Sequence, residues 1–217
     1  MQLSTLINKN SNFALVFLFL LHFVGIFALN FEITQWLFRP LIPLNLIISG
    51  ILILYNHSDW NKNFIIFAIL TAFLGYLFEV IGVNTGLIFG EYQYGKNMGF
   101  KLFETPLLIG LNWLILVYSF GIIINSLSIH LIFKILITAF CLTTLDFFIE
   151  PFAIYHDMWH WQNIIVPLQN YIGWFFCSII LSSIFFILKF SKQNSLTKHY
   201  IIIQVMFFIL NYVIINY

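Results

Sequence analysis

Charge is the scarcest ingredient of this chain. Only 8% of its 217 residues are Asp, Glu, Lys or Arg, against roughly 25% in soluble domains. With 61% hydrophobic residues and a mean hydropathy of +0.97, that deficit excludes an ordinary water-soluble globule and indicates an integral membrane protein. The net charge is +1, so no basic face points to nucleic acid. Cysteine is also scarce. Cys141 and Cys177 both lie in apolar stretches, which argues against a disulfide framework. No small-residue cleavage site follows the first apolar run. Asn30, Phe31 and Glu32 stand there instead, so the run reads as a helix and not as a signal-peptide core.

About 20 apolar residues span a bilayer as a helix. Seven candidates are present, near 13–29, 37–55, 64–83, 105–125, 130–149, 170–190 and 199–216. The expectation is an all-α, polytopic helix bundle forming one integral membrane domain over 1–217. Lys9, Lys62, Lys134, Lys189, Lys192 and Lys198 fall on one side, and Arg39, Lys96 and Lys101 on the other. Positive residues favour the cytoplasm, so the bias predicts N-in and C-out. Whatever the sign, the loops after the third and fifth helices share a side. Tyr55, Trp60 and Tyr217 read as interfacial anchors.

Against this apolar background stand three acids inside helical runs: Glu79, Asp146 and Glu150. An ionisable group in a membrane costs several kcal/mol, so each marks a functional site or a polar cross-link between helices. Asp146 and Glu150 are four apart and share a helix face. Pro151 is expected to end that helix, because the residue before a proline avoids the helical region. Glu79 and Asp146 then lie at similar depth, about 6 Å below their helix ends at 1.5 Å per residue.

Two aromatic loops follow the acids. The first carries Gly82, Gly86 and Gly90, then Glu91-Tyr92-Gln93-Tyr94-Gly95. Its Asn84-Thr85-Gly86 reads as a turn, and the segment as a glycine-shaped re-entrant loop. The second carries His156, Asp157, Trp159, His160 and Trp161, and after Pro167 come Asn170, Gly173 and Trp174. His156 and His160 would face one metal only if that segment were helical. The other histidines are scattered, so no metal site is expected. Pro106-Leu107 precedes Trp113 with the same spacing by which Pro167-Leu168 precedes Trp174. Helices three-four and five-six thus have the pattern of a degenerate parallel repeat, the opposite symmetry to an inverted-repeat transporter.

The run Glu79-Val80-Ile81-Gly82-Val83-Asn84-Thr85-Gly86, followed by Phe89-Gly90-Glu91-Tyr92-Gln93-Tyr94, resembles the membrane-integral carotenoid hydratase family. So do Asp146 to Pro151, Trp159-His160-Trp161 and Val166-Pro167-Leu168-Gln169-Asn170-Tyr171-Ile172-Gly173-Trp174. That family includes the γ-carotene hydratases of bacteria and the bisanhydrobacterioruberin hydratases of haloarchaea. The resemblance covers roughly residues 64–190, which defines an expected catalytic core. Two departures bear on substrate details. Glu150 stands where an Asp is usual, and the stretch from Trp161 to Pro167 is short and lacks the usual Gly and paired Tyr.

The resemblance implies a carotenoid 1,2-hydratase, a hydro-lyase that adds water to the terminal double bond of an acyclic carotenoid end group and yields a tertiary alcohol. It implies no redox cofactor, a multi-pass position in the cytoplasmic membrane, and a setting among other enzymes of carotenoid synthesis. The residues suit the chemistry. An unactivated alkene needs a strong proton donor, and a carboxyl group in an apolar site keeps its proton because desolvation penalises the charged form. A second carboxyl can then take a proton from water. Aromatic faces stabilise the cation by about 0.5–2 kcal/mol each. The expected catalytic residues are Asp146 as donor, Glu150 as base and Glu79 in the same site. The order within the Asp146–Glu150 pair stays open. Tyr92, Tyr94, Trp159, Trp161, Asn170 and Trp174 are the expected substrate-binding residues. A carotenoid cyclase of the lycopene type would use the same protonation, and a proton-coupled transporter would need acids near the midplane. The first two helices and the last carry no comparable motif and are expected at the periphery.

Overall fold

Pro40 and Pro43 decide how the second span is built. Each lacks an amide proton and so withholds a backbone hydrogen bond from the turn before it. In the computed structural model the span is accordingly broken into α2 (Glu32–Phe38), a 3-10 turn at Arg39–Leu41, and α3 (Ile42–Tyr55). It begins five residues earlier than the expected start at 37. The structure describes residues 2–163 and 165–216, with side chains described from Asn12 onward. The Lys9 side chain and Tyr217 lie outside the described residues.

The other spans are single helices: α1 (Gln2–Asn30), α4 (Lys62–Thr85), α5 (Leu108–Asn125), α6 (Leu131–Tyr155), α7 (Leu168–Ile187) and α8 (Ser195–Asn216). With α2 and α3 taken together, seven described segments are long and apolar enough to cross a membrane. The protein is a polytopic transmembrane helix bundle. α5 runs through its middle, in contact with α3, α4, α6, α7 and α8. Asn61 caps α4, its side chain accepting the Phe64 amide at 3.0 Å and satisfying one of the free donors of the first turn. The helix stops at Gly86, whose φ of +67° suits the left-handed cap.

Pro151 does not end α6. The helix passes through it to Tyr155. In apolar surroundings a helix is the arrangement that satisfies the backbone within the segment. Losing one amide donor costs less than unravelling the turn. The extra length changes the depth of the acids. Glu79 sits six residues from the end of α4 and Glu150 five from the end of α6, about 9 and 8 Å, while Asp146 is nine residues in, about 14 Å. Asp146 therefore lies deeper than Glu79, not level with it.

The two loops meet outside the bundle. β1 (Tyr92–Tyr94) pairs antiparallel with β4 (Trp159–Trp161), with Tyr92 opposite Trp161, Gln93 opposite His160 and Tyr94 opposite Trp159. A second small ribbon, β2 (Lys101–Leu102) with β3 (Thr105–Pro106), leads into α5. The loops after the third and fifth spans thus share one side. The Pro-Leu repeat also takes physical form. Trp113 of α5 and Trp174 of α7 stack with centroids 4.1 Å apart and planes 25° from parallel, a contact of about 0.5–1.5 kcal/mol. Each half contributes an acid-bearing helix, an aromatic strand and a tryptophan-bearing helix.

The terminal helices are more polar inside than their sequence suggests. Gln204 of α8 meets the buried His22 of α1 at 2.7 Å. Nearer the α1 end, Asn30 donates to Asn211 at 2.7 Å. In lipid such bonds, and not apolar burial, help hold one helix to another.

Candidate active site

Alternate residues of a strand point the same way, and that alternation builds the site. Tyr92 and Tyr94 both turn inward while Gln93 is exposed, and Trp159 and Trp161 do the same around His160. Each strand grips the acid of its own half. Tyr92 and Tyr94 donate to Glu79 Oε2 at 2.5 and 2.8 Å, and the Trp113 indole donates to Oε1 at 3.0 Å. Trp159 and Trp161 donate to Glu150 Oε2 at 3.0 and 2.8 Å. The Asn170 amide bridges the second pair, donating to Asp146 Oδ2 at 2.8 Å and to Glu150 Oε1 at 3.3 Å.

All three acids are buried. Asp146 Oδ1 differs from the other carboxyl oxygens of the site in being buried without a hydrogen-bond partner, which marks a position for a proton or a ligand. A cavity of about 20 Å³ lies among Glu79, Asp146, Glu150, Asn112, Trp159 and Trp174. One water needs about 10–15 Å³ by such a measure. The cavity therefore admits one water beside the three acids. Burial and the neighbouring Glu79 push the Tyr92 and Tyr94 hydroxyls well above their usual range, so both stay protonated and keep donating.

The two halves differ one turn before their strand-held acids. One turn before Glu150 stands Asp146. One turn before Glu79 stands Gly75, where a Cβ would lie 2.6 Å from Trp113 Cβ. The first half uses that place for close helix packing; the second puts an acid there.

All of the expected site residues converge. Glu79, Asp146, Glu150, Tyr92, Tyr94, Trp159, Trp161 and Trp174 line the cavity, and Asn170 holds two of its acids. The four strand aromatics donate hydrogen bonds to the acids, the Tyr and Trp partnership that the polar cross-link reading of these acids offered. Sequence reasoning missed Asn112 as a lining residue, although an amide inside an apolar helix is a signal in its own right. Trp113 was noted for its spacing but not as a partner of Glu79.

The paired-histidine arrangement does not form. α6 ends before His156, and His160 lies in β4. His156 is buried and accepts from Arg39 Nε at 3.3 Å. Burial, reinforced by Arg39, lowers its pKa to about 4. His160 is exposed and meets Asp157 at 2.5 Å, and that hydrogen bond holds the Asp157 carboxyl below its usual range. Among the described residues no group of three or more His, Cys, Asp or Glu is arranged to hold a metal.

A family model described as "Carotenoid biosynthesis protein" matches residues 40–217. The chain belongs to the carotenoid biosynthesis protein family. The match is wider than the stretch 64–190 that carries the motifs, and it takes in α3 and α8. Among curated proteins, the chain is similar to bisanhydrobacterioruberin hydratase of Haloarcula japonica, with 28% identity over 113 residues. That alignment covers 46% of this chain and 36% of the relative, so this family member spans little more than a third of the relative it matches. No solved structure matches.

Proposed function

We propose that this carotenoid biosynthesis protein hydrates the terminal trisubstituted double bond of an acyclic carotenoid end group. The observation that carries the reading is the unpartnered Asp146 Oδ1 beside a water-sized cavity, with Glu150 one turn away. Asp146 delivers a proton to the less substituted alkene carbon, and the π electrons form the new C–H bond. The positive charge falls on the more substituted carbon. Water attacks that carbon, and Glu150 takes the proton that water releases. Proton return from Glu150 to Asp146 along their shared helix face restores both groups. The net change is addition of one water to one alkene.

Glu79 is fixed beside the developing cation by its three donors, Tyr92, Tyr94 and Trp113. Trp174, Trp159 and Trp161 line the acid cavity, so a charge developing at its mouth meets π density. The catalytic core falls within about 64–190, and the wet end of the site lies on the non-cytoplasmic face of the cytoplasmic membrane, N-in and C-out. The name of the Haloarcula relative and the family description support a carotenoid substrate. The test is pigment analysis of a host that makes an acyclic carotene. The wild-type chain is expected to yield a tertiary alcohol, and Glu150→Gln to yield none while still accumulating in the membrane. A cyclised product would move the reading to the cyclase chemistry, and hydration by Glu150→Gln would remove Glu150 from the mechanism.

A further inference from the structure

Three hollow spaces lie next to one another in the bundle, each sharing lining residues with the next. The first is an apolar groove of about 290 Å³ between α1 and the α2–α3 span. Its rim residues Leu20, Val24 and Leu44 are exposed, and they sit in spans that face lipid. Leu29, Ile42 and Asn45 line both this groove and a second space, a chamber of about 100 Å³. Ile109, Asn112, Ile149 and Trp159 line both the chamber and the acid cavity.

The chamber suits a hydrocarbon. Several of its polar side chains satisfy one another: Gln204 with His22 at 2.7 Å, and Ser49 donating to Asn45 at 3.1 Å. An apolar cavity of about 150 Å³ admits benzene, so a five-carbon branched terminus is in scale with this one. The polar space on the other side of the acids is different. It holds about 550 Å³ among Asn84, Gln93, His160 and Gln162, and it shares only Tyr92 and Trp161 with the acid cavity. The polar space and the apolar chamber thus border the acid cavity through different residues.

We propose that the polyene enters sideways from the bilayer between α1 and α3, seats its end group in the chamber beside Asn112, and leaves its chain lying in the groove during reaction. This rests on the hydratase reading for the identity of the occupant. It gives α1, α3 and α8 a role that the motifs do not disclose: they wall the substrate path while the core carries the chemistry. A rival route exists. A groove of about 440 Å³ between α6, α7 and α8 touches Glu150 but shares no other lining residue with the acid cavity.

The full chain in lipid nanodiscs tests the route with two probes, a long acyclic carotene and a short branched alkene bearing only the end group. Val24→Trp and Leu44→Trp narrow the groove from lipid-facing positions and leave the core untouched. They are expected to cut turnover of the long substrate by about tenfold or more and of the short one by less than roughly twofold. Ile215→Trp, in the rival groove, should spare both. The route is overturned if the groove variants keep long-chain turnover, if long and short turnover fall together, or if only Ile215→Trp is impaired. Binding separates this from the acid chemistry. A long carotene bound to Asp146→Asn protein, read by induced circular dichroism, should be lost on adding Val24→Trp. Persistent binding would refute the route even where hydration proceeds as proposed. Loss of binding would support it even where Asp146 proves dispensable for turnover.

Discussion

Replacing Asp146 by Asn tests the proposed chemistry with little change of shape. The Asn170 amide that donates to Asp146 Oδ2 at 2.8 Å finds an equivalent acceptor in the Asn carbonyl. The new NH₂ group takes the place of Oδ1, which has no partner to lose. The structural cost is one amide donor facing a cavity large enough for water, about 1 kcal/mol. The catalytic cost is far larger. A positioned general acid contributes roughly 10²–10⁴-fold, or about 3–5 kcal/mol of barrier. An unactivated alkene offers water no route around the missing proton, so the loss should sit at the upper end. The assay is chromatography of pigments from a host making an acyclic carotene, beside immunoblots of the membrane fraction. Wild-type accumulation without alcohol is the expected result. Normal alcohol yield from Asp146→Asn would refute the assignment and shift the donor role to Glu150 or Glu79.

Trp161→Ala removes a 2.8 Å donor to Glu150 and should lower turnover without reversing topology, as read by reporter fusions in the loops. Gly75→Ala would press a Cβ to 2.6 Å from Trp113 Cβ. It should cost about 1–3 kcal/mol by overpacking and alter the near-ultraviolet circular dichroism of the Trp113–Trp174 stack. His156 has its pKa lowered from 6.5 to about 4, so the unfolded chain binds more protons than the native one between those values. Stability is therefore full above pH 6.5 and falls as pH drops toward about 4, with a ceiling of about 3 kcal/mol. In thermal melts the acid-dependent loss should appear in wild type and be absent from His156→Gln. Cysteines placed at Gln93 and His160, which are exposed and paired across the ribbon, should label from the same membrane face; labelling from opposite faces would contradict the ribbon.

The spans and the site were legible for different reasons. Apolar runs bounded by Lys, Asn and Pro located all seven crossings, because the bilayer imposes length and hydrophobicity directly. Acids in those runs stood out because they are costly there. Two things stayed hidden. Pro151 was read as a stop because local sterics say so, whereas the apolar surroundings keep the helix going. For the aromatics the sequence allows both a face for a cation and a hydrogen bond to an acid; that Tyr92 and Tyr94 hold Glu79 while Trp159 and Trp161 hold Glu150 appears only once β1 and β4 align in register. Asn112 and the chamber depend on how α1, α3, α5 and α8 pack, and no local pattern encodes that.

The acid cavity is a blind end. The paired aromatic strands close it toward water, and about 20 Å³ leaves no passage for a polyene to thread through. A molecule with two reactive termini must therefore withdraw completely, turn round in the membrane and return with its other end first. Such an enzyme works distributively. During a time course the singly modified product should build up before the doubly modified one, and excess substrate should prolong that interval.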